Sequence, residues 1–132
     1  MNFELTEEQR LIQDTARRFA AEQIAPTLEE EERKHEFRAD RVAKMGGLGF
    51  FSCAVPEALG GSGMGFMESV LMAEQIGKVS ASWRLPFNMQ NLGPALTVSK
   101  FGSEAQKKKY VPGWVAGTQL GFFAMTEPNT GS

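Results

Sequence analysis

The chain has 132 residues, a formal net charge of −2, 42% hydrophobic residues and 23% charged residues, which is the profile of one globular domain. Basic residues are outnumbered by acidic ones and are spread along the chain except at 107–109, so the charge does not indicate nucleic-acid binding. The sequence has one cysteine, no signal-peptide pattern and no apolar run near the ~20 residues of a membrane span, so we expect a soluble, cytoplasmic protein without a disulfide.

Three helices are predicted in the first part of the sequence. Thr6 and Gln9 have the spacing of a capping box, and apolar residues recur after them at helical spacing. We expect Pro26 to end this first helix. A second helix is predicted from Leu28 through the acidic run that follows, and a third over residues 39–45, closed by two glycines.

The middle of the chain contains a glycine-rich loop. Residues 48–55 are apolar without a helical period, and residues 60–65 are mostly glycine. Phosphate binding is one interpretation of this loop, but the lysine and hydroxyl pattern of a phosphate-binding loop is absent, so a plain surface turn is favoured. Residues 66–78 return to a helical period and predict a fourth helix.

The last part of the chain changes from helix to strand. We expect a helix to start near Pro86 and to kink near Pro94, since each proline removes a backbone donor. A serine cap predicts a short helix over residues 104–110, stopped by Pro112. Residues 120–125 are apolar and aromatic, and they predict a buried strand.

These elements predict a mainly α fold, a bundle of about five or six helices followed by the first strand of a truncated β domain. The helical domain would cover residues 1–117, and residues 118–132 would begin the β domain. A strand without partners exposes unpaired backbone. We therefore expect the chain to be a fragment or a deliberate truncation.

Few residues carry a chemical signal on their own. Arg84 follows Trp83 among apolar residues, where a guanidinium either reaches water or holds an anion, and the surface position is slightly favoured. His35 has no second ligand nearby, so no metal site is predicted. No pair of carboxylates marks a general acid and base, so no catalytic residue is named. The turn at residues 126–132 is an ordinary loop or a binding turn for a polar cofactor edge.

The carboxy-terminal residues 123–132 read FAMTEPNTGS and resemble the first signature of the acyl-CoA dehydrogenase family. Four upstream segments resemble the family in the expected order: FELTEEQ (3–9), LGF (48–50), VPEALGGSG (55–63) and FGSEAQKKKYVP (101–112). The resemblance covers the whole chain. The sequence departs from the family pattern at two points. Thr130 stands where the family usually has Gly, Ala or Ser, and the aspartate that normally follows Ser132 is absent because the sequence ends there.

This resemblance implies a fold, a cofactor and partners. The full enzyme would have a helical amino-terminal domain, a middle β domain and a carboxy-terminal helical domain that supplies the catalytic glutamate. FAD would accept the β-hydrogen of an acyl-CoA substrate as hydride. The resemblance places Phe123, Met125, Thr126 and Ser132 at the flavin, with Thr126 on the polar edge of its ring and Ser132 also near the CoA arm. It further implies an electron-transfer flavoprotein or similar acceptor, and a homotetramer.

Within the family, residues 83–103 and 126–129 look closest to the glutaryl-CoA dehydrogenase-like branch. In that branch the arginine matching Arg84 meets the distal carboxylate of the substrate. Gly77 and Leu85 replace a supporting glutamate and serine, so cyclic and branched CoA esters stay open as substrates. Two other functions also stay open: another flavin enzyme of the superfamily, such as an oxidase or monooxygenase, and a non-catalytic helical binding module.

Overall fold

The computed structural model describes residues 4–131, which form a bundle of seven α-helices. The helices are α1 (Glu7–Phe19), α2 (Leu28–Lys34), α3 (Ala39–Gly47), α4 (Phe66–Val79), α5 (Ala81–Leu92), α6 (Pro94–Phe101) and α7 (Glu104–Val115). The mainly α class is therefore confirmed. Among the described helices, none is long and apolar enough to cross a membrane.

The first helix begins where the sequence predicts but ends differently. Thr6 and Gln9 form the capping box, each side chain accepting from the other residue's backbone N–H. The α-helical pattern ends at Phe19, and a π-helical turn (Ala20–Ile24) and a 3-10 turn (Ala25–Thr27) carry the chain into α2. Pro26 does not stop the helical path, because it lies in the first turn of the 3-10 segment, where its missing N–H breaks no hydrogen bond.

Two other prolines lie inside helices, which corrects the sequence prediction. α5 begins at Ala81 rather than near Pro86, because the Ser80 hydroxyl accepts from a first-turn amide and caps the helix there. α7 continues through Pro112 to Val115. Each proline deprives one carbonyl, four residues earlier, of its donor, and those residues are exposed to water that can replace it. Pro94 does mark a boundary, as the first residue of α6.

The core lies where α4 packs against α1 and α5. Aromatic rings from the turn after α3 fill it: Phe50 meets Phe19 edge-on with ring centroids 5.3 Å apart, and Phe51 lies 6.1 Å from Phe87. Burying each of these rings removes enough apolar surface from water to contribute ~1.5–3 kcal/mol. A smaller cluster of Val55, Ala95, Val111 and Val115 joins α6 and α7 to the bundle.

The chain leaves the bundle after α7 through Gly117. Its φ of 68° is left-handed, and a β-carbon there would lie 2.5 Å from the carbonyl oxygen of Val42, so only glycine fits. Residues 119–131, here called the C-terminal segment, contain no strand, only an isolated bridge between Glu127 and Thr130. The predicted buried strand at 120–125 is therefore not formed. No partner strand exists within the described residues, and most of its side chains are exposed.

Candidate functional site

A surface groove of about 590 Å³ runs between α4 and α5. One side of it is formed by three α5 residues at four-residue spacing: Arg84, Asn88 and Leu92. Residues four apart lie on one face of a helix, so a guanidinium, an amide and an apolar side chain follow each other along the groove. Facing them on α4 are residues that are small or apolar at the groove floor: Val70, Ala73 and Gly77. We call this the α4/α5 groove.

Arg84 lies at one end of this groove and is exposed. Its neighbours Trp83 and Phe87 are buried on another face of α5, so the apolar setting that the sequence indicated is not the setting of Arg84 itself. Within residues 4–131 its guanidinium forms no hydrogen bond or ion pair. The nearby carboxylate of Glu74 is paired with Lys78 at 3.0 Å. The guanidinium is therefore free to meet an anion that enters the groove.

The C-terminal segment passes beside Gly93, the residue that follows Leu92 of the groove. The Phe123 ring lies 3.3 Å from where a β-carbon on Gly93 would stand, one residue beyond Leu92. Phe123 and Met125 are 47% and 74% exposed, and Thr126 is exposed. The structure thus brings Phe123 beside the carboxy-terminal end of α5, while Ser132 lies outside the described residues.

The same segment has the chemistry of one wall of a flavin site. The backbone amides of residues 122–126 donate no hydrogen bond within the described chain. Free amides and a hydroxyl suit the polar edge of a flavin ring, and an exposed aromatic ring suits its flat face. Phe123, Met125 and Thr126 therefore fit the cofactor that the sequence resemblance implies, as a partial site.

Gln90 anchors the start of this segment, and sequence reasoning missed it. Its Nε2 donates to the carbonyls of Trp114 at 2.8 Å and Gln119 at 2.6 Å, and its Oε1 accepts from the N–H of Gly121 at 3.1 Å. The side chain is buried, and these contacts satisfy both of its donors and its acceptor. Because buried polar side chains are almost always hydrogen-bonded, a glutamine on the buried face of a helix indicates a bonding partner elsewhere in the chain.

The glycine-rich loop does not offer a phosphate site. Amides of residues 60, 61, 62, 63 and 65 already donate to backbone carbonyls at residues 52–57. His35 is an exposed C-cap of α2 in the left-handed region, with φ of 54°. Within the described residues, no group of three or more His, Cys, Asp or Glu could hold a metal ion. Neither feature forms a binding site in this structure.

Comparison with known proteins identifies the family. A family model described as "Acyl-CoA dehydrogenase, N-terminal domain" matches residues 6–118. The chain belongs to the acyl-CoA dehydrogenase family. The resemblance drawn from its motifs is thereby confirmed, and the matched range contains all seven α-helices described above.

Relatives in this family cover the chain but exceed its length. A "Glutaryl-CoA dehydrogenase" from Desulfococcus multivorans is 38% identical over 100% of this chain and 35% of its own length. An "Acryloyl-CoA reductase (NADH)" from Anaerotignum propionicum is 36% identical over 100% of this chain and 33% of its own. A structure of a glutaryl-coenzyme A dehydrogenase glutaryl-CoA complex superposes with a TM-score of 0.94 and 38% identity, covering 99% of this chain and 34% of that one. The chain thus spans about a third of the length of these relatives.

This acyl-CoA dehydrogenase domain also holds a buried ion pair that the sequence did not reveal. The Arg41 guanidinium donates to both carboxylate oxygens of Glu31, each at 2.7 Å, and lies 4.5 Å from the Trp83 ring centroid. Thr27 donates to the same carboxylate at 2.6 Å. Hydrogen bonding by Arg41, joined by that from Thr27, lowers the pKa of Glu31 to about 2 although burial opposes it. Its partners lie ten residues apart on different helices, so no local pattern marks it.

The α4/α5 groove of this family member offers groups that bind a ligand, but no carboxylate suited to removing a proton from it. Lys78 bonds the Glu74 carboxylate and holds its pKa below its usual range. A carboxylate in that state is a weak proton acceptor. The groove therefore offers a cation, an amide and apolar walls to a ligand.

Proposed function

We propose that this chain is the amino-terminal part of an FAD-dependent acyl-CoA dehydrogenase that introduces an α,β double bond into an acyl-CoA thioester. The observation that carries this proposal is the meeting of two features at one point. Phe123 of the flavin motif lies beside Gly93, the residue that follows Leu92 of the α4/α5 groove. An acyl chain in the groove would have its thioester end near the flavin segment.

The proposal divides the chain into a helical domain, residues 1–117, and the start of a β domain, residues 118–132. In the second part, Phe123, Met125, Thr126 and Ser132 would hold FAD, and Ser132 would also contact the CoA arm. When bound, FAD supplies a two-electron acceptor for the hydride that leaves the substrate. Thr126 and the free amides beside it would orient the polar edge of the ring.

At the far end of the groove, Arg84 would recognise a polar or anionic group on the acyl chain. Eight residues separate Arg84 from Leu92, a helical rise of about 12 Å, so α5 sets the distance between that group and the flavin end. The unpaired guanidinium supports this role. Where the ligand and the rest of the enzyme cover Arg84, changing it to Met should cost a dicarboxylic ester ~2–5 kcal/mol of recognition and a monocarboxylic ester little. On the exposed side chain described here the loss would be at most ~1 kcal/mol.

The remaining parts of the reaction would come from outside this chain. A glutamate from the carboxy-terminal domain would remove the α-proton, and an electron-transfer flavoprotein or similar acceptor would reoxidise the flavin. The full enzyme would be a homotetramer. The share of the relatives' length that this chain covers, 35% and 33%, supports this division of labour.

Flavin binding tests the proposal. The full-length enzyme that carries this sequence should bind FAD stoichiometrically, and its yellow colour should bleach when an acyl-CoA is added without oxygen. The 132-residue chain alone should bind FAD weakly or not at all, because it supplies only one wall of the site. A full-length enzyme without flavin, or a chain that binds FAD tightly by itself, would contradict the proposal.

A second candidate is the reverse reaction, reduction of an enoyl-CoA. The acryloyl-CoA reductase relative, 36% identical across the whole chain, favours keeping it. The same groove and flavin segment would serve both directions, since they bind substrate and cofactor without setting the electron donor. Measuring turnover of an enoyl-CoA with NADH, against turnover of the saturated ester with an electron acceptor, distinguishes the two.

A further inference from the structure

The start of the C-terminal segment is tied to two helices of the bundle. The first tie is to α7, since the carbonyl oxygen of Gly113 accepts from the backbone N–H groups of Thr118 and Gln119, at 3.0 and 3.1 Å. The chain stays against the bundle as far as Gly121, which is buried, whereas Phe122 is 59% exposed. The segment therefore leaves the bundle directly after Gly121.

The second tie is the side chain of Gln90 on α5. Its Nε2 donates to the carbonyl of Gln119 at 2.6 Å, and its Oε1 accepts from the N–H of Gly121 at 3.1 Å. In an extended chain, the carbonyl of one residue and the N–H of the second residue after it point to the same side. A side-chain amide has the donor and the acceptor of a peptide unit. Gln90 thus bonds this backbone edge as a neighbouring strand would.

Gly121 allows the backbone to come this close to the helices. A β-carbon at this position would lie 3.0 Å from Cγ of Pro94 and 3.1 Å from the indole Nε1 of Trp114. These distances are shorter than ordinary contacts in a packed interior, so a side chain here would push the backbone away. Because glycine stands there, the N–H at 121 reaches Gln90. The position of this residue along the segment is thereby fixed.

The register of this point matters for the residues that follow. Successive side chains of an extended chain point to opposite faces, so a shift by one residue would turn Phe123, Met125 and Thr126 to the other face. Within residues 4–131 no strand pairs with the segment, so strand pairing does not set its register here. Gln90 bonds positions 119 and 121 and not 120, and this choice fixes the faces that the later side chains take.

We propose that Gln90 sets the register in which the flavin motif leaves the helical domain, and that it is thereby a positioning residue for Phe123 and Thr126. This inference rests on the proposed function and adds a residue to its cofactor site. Gln90 acts through the backbone of the segment, not by contact with the cofactor. Since α5 also forms one side of the α4/α5 groove, a single helix places both the groove and the flavin motif.

The test measures FAD binding by the full-length enzyme. Gln90→Met keeps the bulk but removes the hydrogen bonds to the segment, so the dissociation constant of FAD should rise roughly 10-fold or more. Gln75→Met is the matched control, because Gln75 is also a buried glutamine but its amide donates to Glu74, at 2.9 Å, and not to the segment. This variant should keep the dissociation constant within about twofold of the parent value.

Two further readouts separate positioning from a general loss of stability. With FAD bound, amides of residues 122–126 should exchange faster in Gln90→Met than in the parent, while amides of α4 keep their protection. In single turnovers without oxygen, the rate at which an acyl-CoA bleaches the flavin should fall by a similar factor for every ester tested. The ester concentration that gives half the maximal rate should not change, because the groove is intact.

Gln90→Glu is the rescue variant, and it also serves if Gln90→Met does not fold. A protonated carboxyl has one donor and one acceptor, so it can bond both the Gln119 carbonyl and the Gly121 N–H, whereas the ionised form only accepts. Relative to the parent at each pH, FAD should therefore bind more tightly to this variant as the pH falls. Gln90→Met should show no such recovery, since its side chain does not titrate.

The outcomes separate this inference from the proposed function. An FAD dissociation constant that is unchanged in Gln90→Met, or that rises equally in Gln75→Met, would overturn the inference, as would the absence of recovery in Gln90→Glu. The proposed function fails by itself if the unmutated full-length enzyme binds no FAD. In that case hydrogen exchange at residues 122–126 of the full-length chain still decides the role of Gln90, and equal rates in Gln90→Met and the parent would exclude it.

Discussion

The helical bundle and the C-terminal segment have similar apolar residues but different structural requirements. Phe51 in the bundle is fully buried, whereas Phe122 in the segment is 59% exposed. A helix forms its backbone hydrogen bonds internally and needs neighbours only to bury its apolar face. An extended segment needs neighbours both for its backbone hydrogen bonds and for its apolar side chains. The helices of the bundle thus pack their apolar faces against one another within the described residues, while the segment from 122 onward lacks such partners there.

Two phenylalanine substitutions test whether the bundle is packed and the C-terminal segment is not. Phe51→Ala should destabilise the chain by ~3–5 kcal/mol, because it leaves a cavity in the main core. Phe122→Ala removes the same atoms from an exposed side chain and should cost less than ~0.5 kcal/mol. Urea unfolding followed by circular dichroism measures both. Similar losses for the two variants would mean that the segment is packed in the folded chain.

The buried ion pair should have an effect of similar size within the bundle. Arg41→Met leaves the Glu31 carboxylate buried without its main partner, which should cost ~3–5 kcal/mol in the same unfolding experiment. Arg17→Met, which removes an exposed cation paired with Asp14, should cost at most ~1 kcal/mol. Comparable losses would show that the Arg41 contact is solvated and contributes no more than a surface pair.

Acid should reveal the same pair through its pH dependence. Glu31 has a pKa lowered from 4.5 to about 2 in the folded chain, so its ionised form is favoured by folding. The resulting stability, roughly 3 kcal/mol, is fully present above pH ~4.5 and is lost as the pH falls toward 2. Glu31→Gln should flatten this part of the stability curve. A wild-type free energy of unfolding that stays constant between pH 4.5 and 2 would contradict the buried ion pair.

Gln90 sharpens the boundary between the two regions. Gln90→Met keeps the bulk but leaves the Gln119 carbonyl and the Gly121 N–H without a partner and removes one donor from the Trp114 carbonyl, which should cost ~1–3 kcal/mol. Hydrogen exchange at Gly121 should accelerate, while amides in α4 keep their protection relative to the variant's global stability. If Gly121 exchanges equally fast in both proteins, the anchor seen here does not hold the segment in solution.

The sequence predicted those features that depend on residues close in the chain. Thr6 and Gln9 form a capping box because both groups lie within one helical turn. The prediction was wrong at Pro86 and Pro112. The free-energy cost of a proline inside a helix depends on whether the carbonyl that loses its donor can bond water instead, which is a property of the folded surface. The mainly α class could therefore be predicted from the sequence, whereas the bounds of α5 and α7 near these two prolines could not.

The candidate site divides in the same way. Phe123 and Thr126 were predicted from a contiguous motif, and Arg84 from its match to a family position; these roles stay predictions. Gln90 escaped notice because its partners lie 24 to 31 residues away, and Asn88 because only the groove shows which residues it faces. The predicted strand failed for a related reason, since a strand is defined by partners and not by its own sequence.

Hydrogen exchange at residues 122–126 tests the central claim most directly, namely that this segment belongs to a flavin site completed elsewhere. In the 132-residue chain these amides should exchange without protection, as they donate no hydrogen bond within the described residues. In the full-length enzyme with FAD bound, the same amides should be protected by neighbouring strands and the cofactor. Equally fast exchange in both proteins would contradict the account.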